Sequence, residues 1–295
     1  MDQAEQLRNI IKAGNVKRSR PLARVITVTS GKGGVGKSNT AINLAIQFRK
    51  MGKKVVILDA DFGLANIEIM FGAVPKHNLS DLIYQGKNIK DIIAWGPMEV
   101  GFISGGSGIT GLSNLSKDYL TYIVHNLAEL DTIADVIIVD TGAGISDAVL
   151  EFLVASGEIL LVTTPEPTSI TDSYSLLKAL NGHPGLERDN TQICMIANRV
   201  STANEGEVLF QKLDVVVSHY LKLPITYLGA VPQDPLLAKA VMQQLPVSLQ
   251  NPQARSAQAY EEIAAKLMKQ DEGQNTQKRG VAAFFSHIIG KRNNG

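Results

Sequence analysis

A single cysteine, Cys194, is the only thiol in this 295-residue chain. It has no partner for a disulfide and no second ligand for a multi-cysteine metal or iron–sulfur site within one chain. Charge of one sign is equally lacking. Lys and Arg total 29 against 28 Asp and Glu, so a net +1 excludes a basic coat for nucleic acid and leaves open only a local patch. No run of about 18 apolar residues is present to span a bilayer. The opening MDQAEQLRNIIKAGN is charged from residue 2 and lacks the apolar core of a secretory signal. His77, His125, His183, His219 and His287 are scattered without ligand spacing, so no structural metal is expected. The chain is 44% hydrophobic and only 19% charged, enough for a large core and too little charge for disorder. A cytosolic globular protein is the expectation.

Short apolar runs alternate with stretches of helical spacing. The runs are Val25–Thr29, Val55–Leu58, Val100–Ile103, Val136–Val139, Ile159–Val162, Ile193–Ile196 and Ile225–Leu228. Most are apolar throughout, which predicts strands buried on both faces, as a parallel sheet requires. Helices are expected over Ala41–Met51, Leu120–Leu130, Ser169–Leu180 and Val208–Leu221. The alternation predicts an α/β fold: a doubly wound, mostly parallel sheet with helices on both faces, as one domain over residues 22–269. Residues 1–21 form a basic N-terminal extension, 270–280 a polar linker, and 281–292 a last apolar segment.

The first strand leads directly into Gly31-Lys32-Gly33-Gly34-Val35-Gly36-Lys37-Ser38-Asn39, followed by a helix. This matches the G-x-x-x-x-G-K-[ST] pattern in its strand–loop–helix setting. Glycines there let backbone N–H groups close around phosphate, and the helix N-terminus adds positive potential. Lys37 is expected on the β- and γ-phosphate oxygens, and the Ser38 hydroxyl on Mg²⁺. Lys32 is a second cation that an ordinary phosphate loop does not need. It reads either as a solvated lysine or as a charge delivered across a dimer interface to the partner's nucleotide.

The G-K-G-G-V-G-K-S string resembles the deviant Walker-A ATPases of the MinD/ParA family, and later motifs follow in that family's order over roughly residues 22–269. The resemblance implies that Asp61, in Asp59-Ala-Asp61-Phe-Gly-Leu-Ala-Asn66, positions or deprotonates the attacking water. It also implies that Asp59 supports the Mg²⁺ shell through water, that Asn66 is a switch position, and that Asp140 is the Walker-B acid ahead of a Gly142–Gly144 switch. Asn198 is expected to read the adenine edge and Arg199 to stack on the ring. Pro232 and Asp234 belong to a second adenine-side loop, and Glu166 to a Thr164–Thr168 loop that approaches the nucleotide. An ordinary strand-end turn is the competing reading of each. No Asn-Lys-x-Asp guanine-reading string occurs, which favours ATP over GTP. The implied cofactors are ATP/ADP and Mg²⁺; the implied chemistry is slow hydrolysis within an ATP-sandwiched homodimer.

The ends refine the reading. Val281, Phe284, Phe285, Ile288 and Ile289 fall at i, i+3, i+4, i+7 and i+8, one apolar stripe flanked by Lys278, Arg279, Lys291 and Arg292. Such a helix suits the surface of an anionic membrane, the inner face of the cell membrane for a cytoplasmic protein. The competing reading is a helix docked permanently on the domain, and a mixture of the two shelters the stripe in a groove until ATP releases it. At the other end Asp2, Gln3, Leu7 and Arg8 belong to a D-Q-A-x-x-L-R string. Physically this is a partner-binding helix or a frayed tail. The string looks like the N-terminal motif of the flagellum site-determining branch of the family, the FlhG (YlxH) group. That likeness implies stimulation of an FlhF-type signal-recognition-particle GTPase, with Gln3 as the catalytic helper, and contact with flagellar C-ring proteins. Three relatives compete. A DNA-partition ATPase of ParA type is disfavoured by the +1 charge and the Phe-rich terminal helix, so no specific nucleic acid is expected. A division-site ATPase of MinD type is disfavoured by the long N-terminal extension. The iron–sulfur branch takes two cysteines from each chain, and this chain has one.

Overall fold

The computed structural model describes residues 22–61, 66–105, 124–273 and 280–290. Its frame is β1 (Arg24–Thr29), α1 (Lys37–Lys50), β2 (Val55–Ala60), β3 (Ala94–Trp95), β4 (Gly101–Ser104), β5 (Val136–Thr141), α2 (Asp147–Ala155), β6 (Glu158–Thr163), α3 (Pro167–Gly182), β7 (Gln192–Val200), α4 (Ala203–Val216), β8 (Thr226–Pro232), α5 (Arg255–Gly273) and α6 (Gly280–Gly290). The strands form one sheet in the order β3-β4-β2-β5-β1-β6-β7-β8. Every pairing is parallel except the antiparallel β3–β4 edge. β1 lies between β5 and β6 in the sheet, and apolar clusters cover its Val/Ile-rich run on both faces. That is why it reads as a continuous apolar stretch rather than an alternating one.

One face of the sheet packs under α1 and α5, through Ile42, Phe48, Tyr260 and Ile263. The other carries two clusters, one around α3 and α4, the other around Phe152 and α6. A buried ion pair fastens the N-terminal edge. Arg24 donates twice to Glu158 through Nε and Nη2 (2.8 and 2.7 Å) and once to the Leu267 carbonyl (2.9 Å), joining β1, β6 and α5. The fork geometry satisfies the charge where a lone guanidinium would be costly to bury.

The seven expected strands are all present: β4 is shifted by one residue at unchanged length, the other six are longer than expected, most of all β7, and β3 is added as a two-residue edge. α4 starts at Ala203 and ends in a π-helical turn over Val217–Leu221. α5 continues through Gln270–Gly273, which composition places in the linker. Residues 106–123 and 274–279, and hence the start of the helix expected over Leu120–Leu130, lie outside the described residues. Among the described residues no helix is long and apolar enough to cross a membrane.

Candidate active site

The loop after β1 is shaped by its glycines. Gly34 (φ 75°) and Gly36 (φ 100°) occupy the left-handed region that side chains resist, and Gly36 is the N-cap of α1. Gly31 is fixed by contact instead: a Cβ there would collide with the backbone of Asp172 and Ser173 in α3. Ser30 Oγ donates to the Lys32 carbonyl (2.8 Å) and Gly144 N donates to the Ser30 carbonyl (2.9 Å), so the loop and the Gly142–Gly144 turn share a brace. Lys37 is buried at the start of α1, beside Ser38, with Asn39 in the same first turn.

Three carboxyls converge at this end of the sheet. Parallel pairing of β2 and β5 sets Asp59 opposite Asp140, so both leave their strands at the same level. Asp59 accepts from Asp61 N (3.2 Å) and Ile67 N (3.4 Å), and Asp61 accepts from Asn66 Nδ2 (3.3 Å). Gly142 sits against Asp61, where a Cβ would lie 3.4 Å from Oδ1. Burial, with the Asp140 charge behind it, lifts Asp59 to about 7. Burial lifts Asp140 to about 6, against the pull of the Ser38 hydroxyl and the Lys37 ammonium. Ser38 favours the ionised form without closing a full hydrogen bond on either Asp140 oxygen. Adjacent acids that burial holds part-protonated are a cation site waiting for its counter-charge. Among the described residues no group of three or more His, Cys, Asp or Glu makes a closed metal cage. Magnesium needs none, because it keeps waters and binds through one or two protein oxygens plus phosphate, and Ser38 backed by Asp59 and Asp140 fits that demand.

The remaining expected residues surround the loop. Asn198 is buried and donates Nδ2 to the Val35 carbonyl (2.7 Å), against Gly36. It therefore braces the phosphate loop, a role the adenine-edge expectation does not contain. Arg199 has φ 58° at a bulge in β7, and this strained conformation turns its side chain out into solvent beside the site. Pro232 ends β8. Asp234 is committed within the protein: Oδ1 accepts from Leu236 N (2.9 Å), Oδ2 from Ser256 N and Oγ (3.0 and 2.8 Å). Burial pushes it up, but these bonds and the Arg255 charge bring it below the usual carboxylate range. Its part is to hold the loop.

Lys32 does not point at the phosphate cradle. Its Nζ donates to Glu166 Oε2 (2.7 Å) and Thr168 Oγ1 (2.9 Å) of the same chain, and this bond, with the Lys32 charge, lowers the Glu166 pKa. The Thr164–Thr168 loop is pinned by a buried hydroxyl cluster that sequence reading missed. Thr163 Oγ1 meets Ser169 and Ser173, and Thr164 N donates to Ser169 Oγ (3.0 Å). The spacing of Thr163, Ser169 and Ser173 across a strand end and the helix after it was the available signal.

The terminal stripe lies inward. Val281, Phe284, Phe285 and Ile288 are at most 4% exposed, with Phe284 packed on Phe152 of α2 (ring centroids 6.0 Å apart). The stripe is docked on the domain, an arrangement that permanent docking and nucleotide-controlled shelter have in common. The Ile289 side chain and the N-terminal Asp2, Gln3, Leu7 and Arg8 lie outside the described residues.

A ParA family model, described as NUBPL iron-transfer P-loop NTPase, matches residues 21–268. The iron-transfer part of that description finds no thiol set here, for Cys194 is buried in β7 and burial lifts its thiol to about 12. The antiactivator FleN of Pseudomonas aeruginosa is 38% identical over 83% of this chain and 86% of its own length. The flagellum site-determining protein YlxH of Helicobacter pylori is 32% identical over 98% of both chains. Among solved structures, the septum site-determining protein MinD from Pyrococcus horikoshii, complexed with Mg-ADP, shares the fold. Its TM-score is 0.67 at 24% identity, over 85% of this chain and 98% of that one. The chain belongs to the MinD/ParA family of P-loop NTPases, on the branch that holds the flagellum site-determining proteins.

Proposed function

We propose that this ATPase is a nucleotide-timed switch for flagellar placement or number, monomeric with ADP and dimeric with ATP. One observation carries the reading: a phosphate loop with a second lysine, Lys32, beside the acid set Asp59, Asp61 and Asp140. Lys37 and the loop N–H groups bind the β- and γ-phosphates, and Asn198, Arg199 and Pro232 face the base. Mg²⁺, held by Ser38 with Asp59 and Asp140 behind it, supplies neutralisation of developing phosphate charge. Asp61, kept in place by Asn66, orients water for in-line attack, and Lys32 of one protomer serves the nucleotide of the other as an arginine finger would. The Mg-ADP complex of the archaeal relative and the flagellar role in the name of the Helicobacter pylori relative support this reading.

In the dimer, α6 binds an anionic membrane from the cytoplasmic side, and two copies bind by avidity. The segment bearing Asp2, Gln3, Leu7 and Arg8 stimulates an FlhF-type GTPase, and C-ring proteins receive the complex. The experiment is light scattering after size exclusion with a non-hydrolysable ATP analogue and Mg²⁺. Doubling of the mass is expected with the analogue and not with ADP, and Asp61→Ala accumulates the dimer on ATP itself. A protein that stays monomeric under saturating analogue refutes the switch. FlhF turnover with and without a peptide of residues 1–21 tests the flagellar assignment separately.

A further inference from the structure

The two chain ends meet at one buried carboxylate. Asp131, in the short helix Leu130–Ile133, is 6% exposed. Its Oδ1 accepts from Ala23 N (3.2 Å), where the N-terminal segment enters β1, and from Val281 N (3.1 Å), in the first turn of α6. Gly280 closes the junction in a left-handed conformation (φ 59°), where a Cβ would lie 3.1 Å from Leu22 Cδ1 and 3.3 Å from Asp131 Oδ2. Leu22-Ala23, Asp131 and Gly280-Val281 therefore form one packed unit at the N-terminal edge of the sheet. The phosphate loop is a full strand away, about 20 Å at the rise of a β-strand.

We propose that Asp131 is a latch that couples the N-terminal segment to the docking of α6: whatever displaces residues 22–23 from it loosens the helix, and release of the helix loosens residues 22–23. Each N–H satisfied here would otherwise be a buried orphan, and the carboxylate also complements the positive N-terminus of α6. A partner that pulls on residues 1–21 thus acts directly on the element that holds the apolar stripe under cover. No path through the nucleotide site is needed. The membrane consequence rests on the proposed function above; the coupling itself does not.

The test uses the full-length chain with Asp131→Ala, and Asp131→Asn as a milder variant that keeps an acceptor oxygen. Hydrogen exchange is read at the amides of Val281–Phe285 and of Ala23–Arg24 in the ADP-bound protein. In Asp131→Ala both groups are expected to exchange about tenfold faster or more, as loss of a charged hydrogen bond implies. Asp131→Asn should fall between it and the parent chain, and ADP affinity should be unchanged in both. A second variant ending at Gly273, which removes α6 without touching Asp131, should speed exchange at Ala23 and Arg24. Unchanged exchange at either end overturns the latch. In the vesicle arm, with phosphatidylglycerol-containing liposomes and ADP, Asp131→Ala should bind where the parent chain does not. If the parent chain with the ATP analogue binds and Asp131→Ala with ADP does not, the latch fails as a membrane control. If neither Asp131→Ala nor the analogue-loaded parent chain binds, the membrane part of the proposed function is refuted, while exchange still decides the coupling.

Discussion

At the scale of single residues, the phosphate loop separates two uses of glycine that sequence cannot tell apart. Gly31 is required by the α3 backbone against it, whereas Gly33 has open space around its Cα and an ordinary φ. Gly31→Ala is therefore expected to destabilise by about 1–3 kcal/mol, several degrees of melting temperature, while Gly33→Ala stays within about 0.5 kcal/mol. Thermal unfolding without nucleotide checks both; equal losses would show that crowding by α3 is not what selects Gly31. The acids give a prediction with a definite sign. Asp59 and Asp140 ordinarily titrate near 3.8 and are lifted to about 7 and about 6. The folded state thus holds more protons than the unfolded one between these values, so their contribution is full below about 3.8 and is lost as pH rises through 6 to 7. Nucleotide-free protein should lose melting temperature from pH 5.5 to 8 more steeply than Asp59→Asn does, and Mg²⁺ with ADP should flatten the slope. A steeper fall in Asp59→Asn than in the parent chain would reverse the assignment. Lys37, Ser38 and the acids were legible because each stands at a fixed offset from a strand end. The engagement of Asn198 with Val35 was not, because a carbonyl that lies 163 positions away in sequence leaves no local trace.

At the scale of elements, the central strands declared themselves and the edge did not. Burial on both faces makes Val55–Leu58 or Val136–Val139 apolar without interruption, and their β-branched composition and short length separate them from buried helix segments such as Phe152–Ala155. Ala94–Trp95 has two residues, a partner on one side only, and a half-exposed Trp95, so composition gives it no signature. The terminal helix shows a different limit. Its 3.6-residue apolar period was readable, but a stripe records only that one face leaves water, and protein or lipid can receive it. Here Phe152 and the apolar cluster that also holds Leu127 and Leu130 receive it. Removing residues 274–295 should uncover that groove, giving binding of an apolar dye and a lower melting temperature. A truncated protein with the parent melting temperature and no dye binding would mean that α6 contributes nothing to the core.

At the scale of the whole molecule, the position of Lys32 sets what assembly has to accomplish. Lys32, proposed above to serve a second subunit, is held in cis by Glu166 and Thr168. The pair is exposed and therefore weak. It can restrain Lys32 without locking it, and a γ-phosphate presented by a partner is the stronger counter-charge. If the proposed switch holds, turnover per molecule should rise with protein concentration until dimerisation saturates, because that proposal completes the site only in the pair. Lys32→Ala should remove that dependence and lower the saturated rate by about a thousandfold, the low side of what a cation delivered in trans supplies. Its affinity for ADP should stay within about twofold, since Lys37 and the loop amides bind the diphosphate in either form. Concentration series of phosphate release for the parent chain and Lys32→Ala distinguish this from a lysine that serves its own nucleotide. In that case activity would be independent of concentration, and Lys32→Ala would lower it equally at every dilution.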